Sequence, residues 1–232
     1  IKDNILNDVL NFTGFDYDSL RQIALEKTFS AFPLRGLTLS SEIHNKVRYL
    51  QSHNIAAVKK GIVYPDEYIL FMAHWDHLGM IDSTQPGENN IMNGAVDNAT
   101  GVAAILEFAK RFSEVKTDRS IMFLAVTLEE SGLLGSEYFA KYPPIDLANI
   151  VAGFNYDGIL PTGLTNDMVV VGYGASELED LLENELAKSG RYINPDPNPE
   201  KGYFYRSDHI SFAKRGVPVL YADGGFDLVA GG

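Results

Sequence analysis

The chain contains no cysteine. That excludes a disulfide framework and any thiolate-bound zinc site. Basic residues are in the minority, 19 against 31 acidic ones, giving a net charge of -12. This balance argues against nucleic acid or an anionic membrane as the main partner. No apolar run approaches the roughly 18 residues that span a membrane. Internal repeats and low-complexity tracts are lacking too. The opening "IKDNILNDVL" has neither a signal-peptide pattern nor an initiator Met, so the chain reads as a trimmed piece of something longer. What is present is 232 residues, 45% of them hydrophobic, enough for a sizeable core in a single domain.

Periodicity gives alternating strands and helices. The sequence predicts a helix over 16–27 with Leu20, Ile23 and Ala24 on one face, then strands over 54–63 and 67–73. Residues 81–96, rich in Asn, Gly, Pro and Asp, read as a loop. A helix over 97–112 follows, capped by Asn98 or Thr100, then a strand over 120–127 and a short helix over 135–142. Strands over 149–156 and 168–173 precede an amphipathic helix over 176–190 with Leu178, Leu181, Leu182 and Leu186 inward. A rigid loop (195–202) and a last strand (217–222) complete the pattern. Apolar strands alternating with helices predict an α/β fold, a sheet covered on both faces. Sites in such folds lie beyond the carboxyl ends of strands.

The residues at those ends carry chemistry. "AHWDHLG" puts His74, Asp76 and His77 after one strand, beside the only tryptophan, Trp75. Glu129 and Glu130 follow "IMFLAVT", Asp157 follows "VAGFNY", Asp97 precedes a helix, and "RSDHISF" holds Asp208 and His209. Carboxylates directly behind buried strands need cations or raised pKa values. His74, Asp97, Glu130, Asp157 and His209 suffice for two metal positions with one bridging Asp, and Glu129 is then left as a general base. On a strand, i and i+2 share a face, so Asp76 is expected to orient the His74 imidazole, while His77 falls in the opposite phase as a rim residue. His44 and His53, in polar surroundings, are expected to have no role.

Together, "AHWDHLG", "NGAVDNATGVAAILEFAKRF", "RSIMFLAVTLEESGLLGSEYFA", "NYDG" and "YFYRSDHISFAKRGVPVLYADGG" resemble the co-catalytic zinc aminopeptidases of the aminopeptidase S / aminopeptidase Y family, over roughly 54–227. The resemblance implies a three-layer α/β/α sandwich with a mixed, mostly parallel sheet. It implies two Zn²⁺ per chain: His74 and Asp157 on one, Glu130 and His209 on the other, Asp97 bridging. Glu129 would take a proton from the metal-bridging water, and Asp76 would orient His74. The Asp97–Asn98 peptide would be cis. Tyr205 and Arg206, close to His209 in sequence, are candidates for substrate binding. The implied substrates are peptides with a free N-terminus, trimmed one residue at a time, and the implied location is outside the cell or in its envelope.

The resemblance also sets expectations at the ends. Residues 1–50 would be a helical or linking segment, the trailing edge of a protease-associated domain. The stop at "VAGG" would truncate the family's usual C-terminal loop and helix. Rival readings are a single-zinc glutaminyl cyclase, a non-catalytic receptor-type module, and a two-metal carboxypeptidase or deacylase in which Arg206 grips a carboxylate. The single Trp weighs against the first and the full ligand set against the second.

Overall fold

Short apolar runs bounded by Gly, Pro and Asn become strands, and 3.6-periodic segments become helices around them. The computed structural model describes every residue except 1, 2, 35, 39, 82–86, 88, 160–162 and 230–232. It divides at Leu50/Gln51 into two compact units. The first holds helices α1 (Asp3–Phe12) and α2 (Tyr17–Ile23). The Asp16 carboxylate caps α2 by accepting the Ser19 N–H at 2.8 Å. This helix ends earlier than its sequence pattern suggests; Ile23 is 47% exposed, so no buried face carries the helix further.

The second unit contains β1 (Ile55–Lys59), β2 (Tyr64–His74), β3 (Gly79–Met80), β4 (Ile91–Met92), α3 (Ala99–Ser113), β5 (Arg119–Val126), α4 (Leu134–Lys141), β6 (Ile150–Asn155), β7 (Asp167–Val170), α5 (Leu178–Ala187), β8 (Tyr192–Pro195), α6 (His209–Ala213) and β9 (Val219–Gly224). One sheet has the order β1-β5-β2-β6-β9-β7-β8. The β5/β2, β2/β6, β6/β9 and β7/β8 pairs are parallel; β1/β5 and β7/β9 are antiparallel. The fold is thus α/β with a mixed, mostly parallel sheet between helical layers. The strand alternation splits its core in two. Tyr68, Leu70 and Met72 of β2 pack toward Phe139 and Phe212 of α4 and α6. Ile69, Phe71 and Ala73 pack toward Ile105, Phe108 and Phe112 of α3. Phe71 is the hub of the second cluster, with ring centroids 5.3–5.8 Å from Phe108, Phe112, Phe123 and Phe154.

Three further differences have local causes. Leu181 is 62% exposed rather than inward, and α5 instead buries Glu179. The Glu179 carboxylate accepts the N–H groups of Gly174 and Ala175 at 2.6 and 3.0 Å, capping the turn that enters the helix. Tyr192–Pro195 is an edge strand, which Asn194 and Pro195 conceal in the sequence. The loop region 81–96 contains β4, while 82–86 and 88 lie outside the described residues. Beside β8, the buried Asp167 carboxylate accepts from Asn194 Nδ2 (2.7 Å) and from the N–H groups of Asp227 (2.9 Å) and Phe226 (3.2 Å), tying down the chain that leaves β9.

Candidate metal centre

Because β5, β2 and β6 are parallel neighbours, their carboxyl ends fall along one edge. His74 ends β2 opposite Val126 of β5. The chain after Val126 passes through Leu128, whose φ of 58° is left-handed. This conformation costs about 1–2 kcal/mol for a residue with a Cβ. It turns Glu129 and Glu130 toward the strand edge. Asp157 lies just past Asn155, the end of β6. Asp97 immediately precedes Asn98, the N-cap of α3, across a cis Asp97–Asn98 peptide. Asn98 binds both sides of the junction. Its Oδ1 accepts from Gly101 N (3.1 Å) and Gly158 N (3.0 Å), and its Nδ2 donates to Tyr156 O (2.8 Å). A Cβ at Gly101 would stand 2.4 Å from Tyr156 O, so only glycine allows the helix to start this close to Asp157.

His74 is the pivot. Its side chain is 1% exposed, and Nε2 lies 3.1 Å from both Asp97 Oδ1 and Asp157 Oδ1. Nδ1 lies 3.0 Å from the Asp76 backbone carbonyl. A neutral ring that donates from Nδ1 turns an Nε2 lone pair toward two carboxylates. Such an arrangement needs a cation among the three atoms, and they are close enough to hold one. Without a metal, a proton fills the role. Burial disfavours the charged ring, but Asp157, with Glu129 and Asp208, raises its pKa to about 9. Asp157 moves the other way. Burial raises its pKa, yet hydrogen bonds from His74 and Ser207 bring it below the usual value. Ser207 Oγ donates to Asp157 Oδ2 at 2.5 Å and accepts from Asn155 Nδ2 at 2.7 Å.

A second group able to hold a cation shares Asp97 and adds Glu130 and His77. His209 is in neither group. It lies at the start of α6, fully buried, packed against Phe204 and Tyr221 with ring centroids 5.0 Å away. Neither of its ring nitrogens has a hydrogen bond of ordinary geometry. Burial pushes its pKa down to about 4, against the opposing charge of Asp157. The ring is therefore neutral at pH 7, with a lone pair to offer. Asp208 beside it is also fully buried, neither oxygen has a hydrogen bond of ordinary geometry, and burial lifts its pKa to about 7 against the opposing effect of Ser136.

Glu129 faces the opening. It lines a cavity of about 280 Å³ with Asp97, Glu130, Asp157, Tyr203, Arg206, Ser207 and Tyr221. Burial first, and Asp157 second, raise its pKa to about 8. The Asp76 carboxylate does not hydrogen-bond His74; its Oδ1 is 3.8 Å from Nδ1. It accepts the N–H groups of Glu129 (3.1 Å) and Glu130 (3.3 Å) instead, while its own carbonyl faces the imidazole. Asp76 thus ties the histidine strand to the glutamate turn.

Other expectations shift too. Tyr205 is 68% exposed and does not line the cavity; Tyr203 does. The short helical turn Tyr203–Tyr205 sends the two rings different ways. Arg206 lines the cavity, with its guanidinium over the Tyr203 ring at 5.5 Å. His77 is not a rim residue, because β2 ends at His74 and strand phase no longer applies. His44 pairs with Glu42 on the surface, and His53 offers its carbonyl to Trp75 Nε1. Sequence reasoning missed Ser207 and Tyr221. The Tyr221 hydroxyl donates to the Asp157 carbonyl at 3.2 Å. The Ser of "RSDH" was a signal that could have been used.

The pattern of peptidase family M28 matches residues 54–228. The chain belongs to that family. Aminopeptidase YwaD of Bacillus subtilis is 29% identical over 179 residues, which span 72% of this chain and 34% of the relative. An aminopeptidase structure from Aneurinibacillus sp. strain AM-1 superposes with a TM-score of 0.58 at 25% identity, covering 75% of this chain and 39% of that one. The chain thus spans about a third of the length of the curated aminopeptidase it matches. A glutaminyl cyclase structure from Porphyromonas gingivalis shares the fold nearly as well, with a TM-score of 0.54 at 21% identity over 74% of this chain and 62% of that one. A shared fold, then, does not by itself choose the reaction. Among the described residues, no helix is long and apolar enough to cross a membrane.

Proposed function

We propose that this M28 chain carries the catalytic unit of a zinc exopeptidase that removes residues from the free amino end of peptides. The observation that carries the reading is His74 Nε2 held 3.1 Å from two carboxylates, one of them (Asp97) shared with Glu130. In this reading His74 and Asp157 would hold one Zn²⁺, Glu130 and His209 would hold the other, and Asp97 would serve both. The donor set fits. It is nitrogen and carboxylate oxygen without sulfur, and His209 brings two buried nitrogens, neither with a hydrogen bond of ordinary geometry. When bound, the zinc pair would polarise the scissile carbonyl and acidify water.

The chain's own residues do the rest. Glu129, whose pKa of about 8 would fall beside the positive charge of bound zinc, is then the carboxylate that takes the proton from the attacking water and passes it to the leaving amine. Asp76 holds the Glu129 and Glu130 backbone, and Ser207 and Tyr221 hold Asp157. The carboxylate-lined cavity suits a substrate ammonium. Arg206, with no ion-pair partner among the described residues, is a substrate-binding group for a peptide carbonyl or carboxylate. Tyr203 takes the place first considered for Tyr205.

Matched peptides with free and acetylated amino ends, incubated with zinc, test the reading. Sequential trimming of the free set alone is the expected result, abolished by a chelator and restored by Zn²⁺. Cleavage of both sets would transfer the site to carboxypeptidase or deacylase chemistry. An N-terminal glutamine cyclised rather than released would make it a cyclase.

A further inference from the structure

His77 lies on neither the expected ligand list nor the cavity wall, yet it is built into the centre. Its Nδ1 is 2.6 Å from Glu130 Oε1, with side-chain exposures of 19% and 20%. Both atoms are shielded from water and neither has a hydrogen bond of ordinary geometry, so the walls around them hold the pair in place. The pair is therefore either two ligands of one metal position or a direct contact in which one side chain holds the other. Distance decides which. Two ligands of one tetrahedral zinc, with bonds of ~2.0–2.1 Å, stand about 3.3 Å apart. The His74 contacts at 3.1 Å come close to that separation, whereas the 2.6 Å between His77 Nδ1 and Glu130 Oε1 is too short for it and marks a direct contact of the two side chains.

The other side of His77 is fixed as well. A Cβ at Gly94 would fall 2.9 Å from His77 Cβ and 3.0 Å from Asp97 O. Gly94 has a φ of 67°, and its carbonyl accepts the Ala99 N–H at 3.0 Å. The imidazole is thus wedged between the turn that delivers Asp97 and the carboxylate of Glu130.

We propose that His77 is a positioning residue for the second metal position. Its Nδ1 grips Glu130 Oε1 and leaves the other carboxylate oxygen for the cation, while its Cβ braces the Gly94–Asp97 turn. The proposal rests on Asp97 and Glu130 holding zinc.

The test is zinc titration of the metal-free chain against a chelating dye, with cobalt absorption spectra alongside. The wild type should bind two ions. His77→Ala should weaken one of the two by about 10–100-fold, the usual effect of losing a group that orients a ligand, and leave the other unchanged. His77→Asn, whose amide nitrogen can take the place of Nδ1, should recover most of the loss; His77→Gln, which places it nearer Nε2, should not. Circular dichroism of the metal-free variants should match the wild type. Wild-type affinities in His77→Ala would overturn the proposal. So would an Asn variant as weak as Ala with an altered cobalt spectrum, which would make the imidazole a ligand. A wild-type chain that binds no zinc would instead remove the metal reading itself, and this proposal with it.

Discussion

At the scale of single residues, the site is a set of charges that only a cation reconciles. Glu129 is the one carboxylate assigned a proton rather than a metal, and a neutral isostere tests it. Glu129→Gln should retain zinc to within experimental error and lose about 10²–10⁴ in kcat, the range supplied by a positioned acid or base. Metal analysis beside steady-state kinetics checks this; near-normal turnover would remove Glu129 from the mechanism. The sequence exposed most of these residues because a charge directly after an apolar strand is conspicuous. It did not expose His77 or the true partners of Asp76. Those depend on where β2 ends, and strand phase is informative only within the strand. Tyr203 and Tyr205 are likewise two positions apart on one short turn, and only the turn geometry separates them.

At the scale of elements, apolar runs of strand length were legible, as were the starts of α3 and α4. Lost were short or polar pieces: the edge strand β8, the five-residue α6 that carries His209, and the outward Leu181. β8 is held by the Asp167–Asn194 bond and α6 by the contact of the Ser136 and Ser211 hydroxyls, rather than by their own patterns. Asp167 is the clearest case. Burial raises its pKa, but Asn194 and the backbone N–H groups of Asp227 and Phe226 more than offset this, leaving it below 3.8. A lowered carboxylate pKa stabilises the fold above the unfolded value, and the gain fades as pH drops through the folded one. Asp167→Asn should therefore destabilise the protein at pH 7 by on the order of 1–3 kcal/mol, since one amide cannot accept all three bonds. The gap to wild type should narrow below pH 3.8. Urea unfolding at several pH values measures it; a gap independent of pH would mean the carboxylate's charge is not what matters.

At the scale of the whole molecule, a net charge of -12 attracts positively charged molecules before any contact is made. For peptides of net positive charge, kcat/KM should fall several-fold as ionic strength rises from about 0.01 M to about 1 M, over which the screening length shrinks from ~30 to ~3 Å. Net-neutral peptides should change little, and equal responses would show that the field plays no part. The same excess of acid has a second effect where it is densest. Asp97, Glu129, Glu130 and Asp157 converge on one small cavity, with His74 and Asp157 83 residues apart in the chain. Zinc would be the clasp on that long loop, binding the native form far better than the unfolded one and so shifting the folding equilibrium. A cell starved of zinc would then hold less of this protein, and not only less active protein, because the opened chain is what proteases degrade.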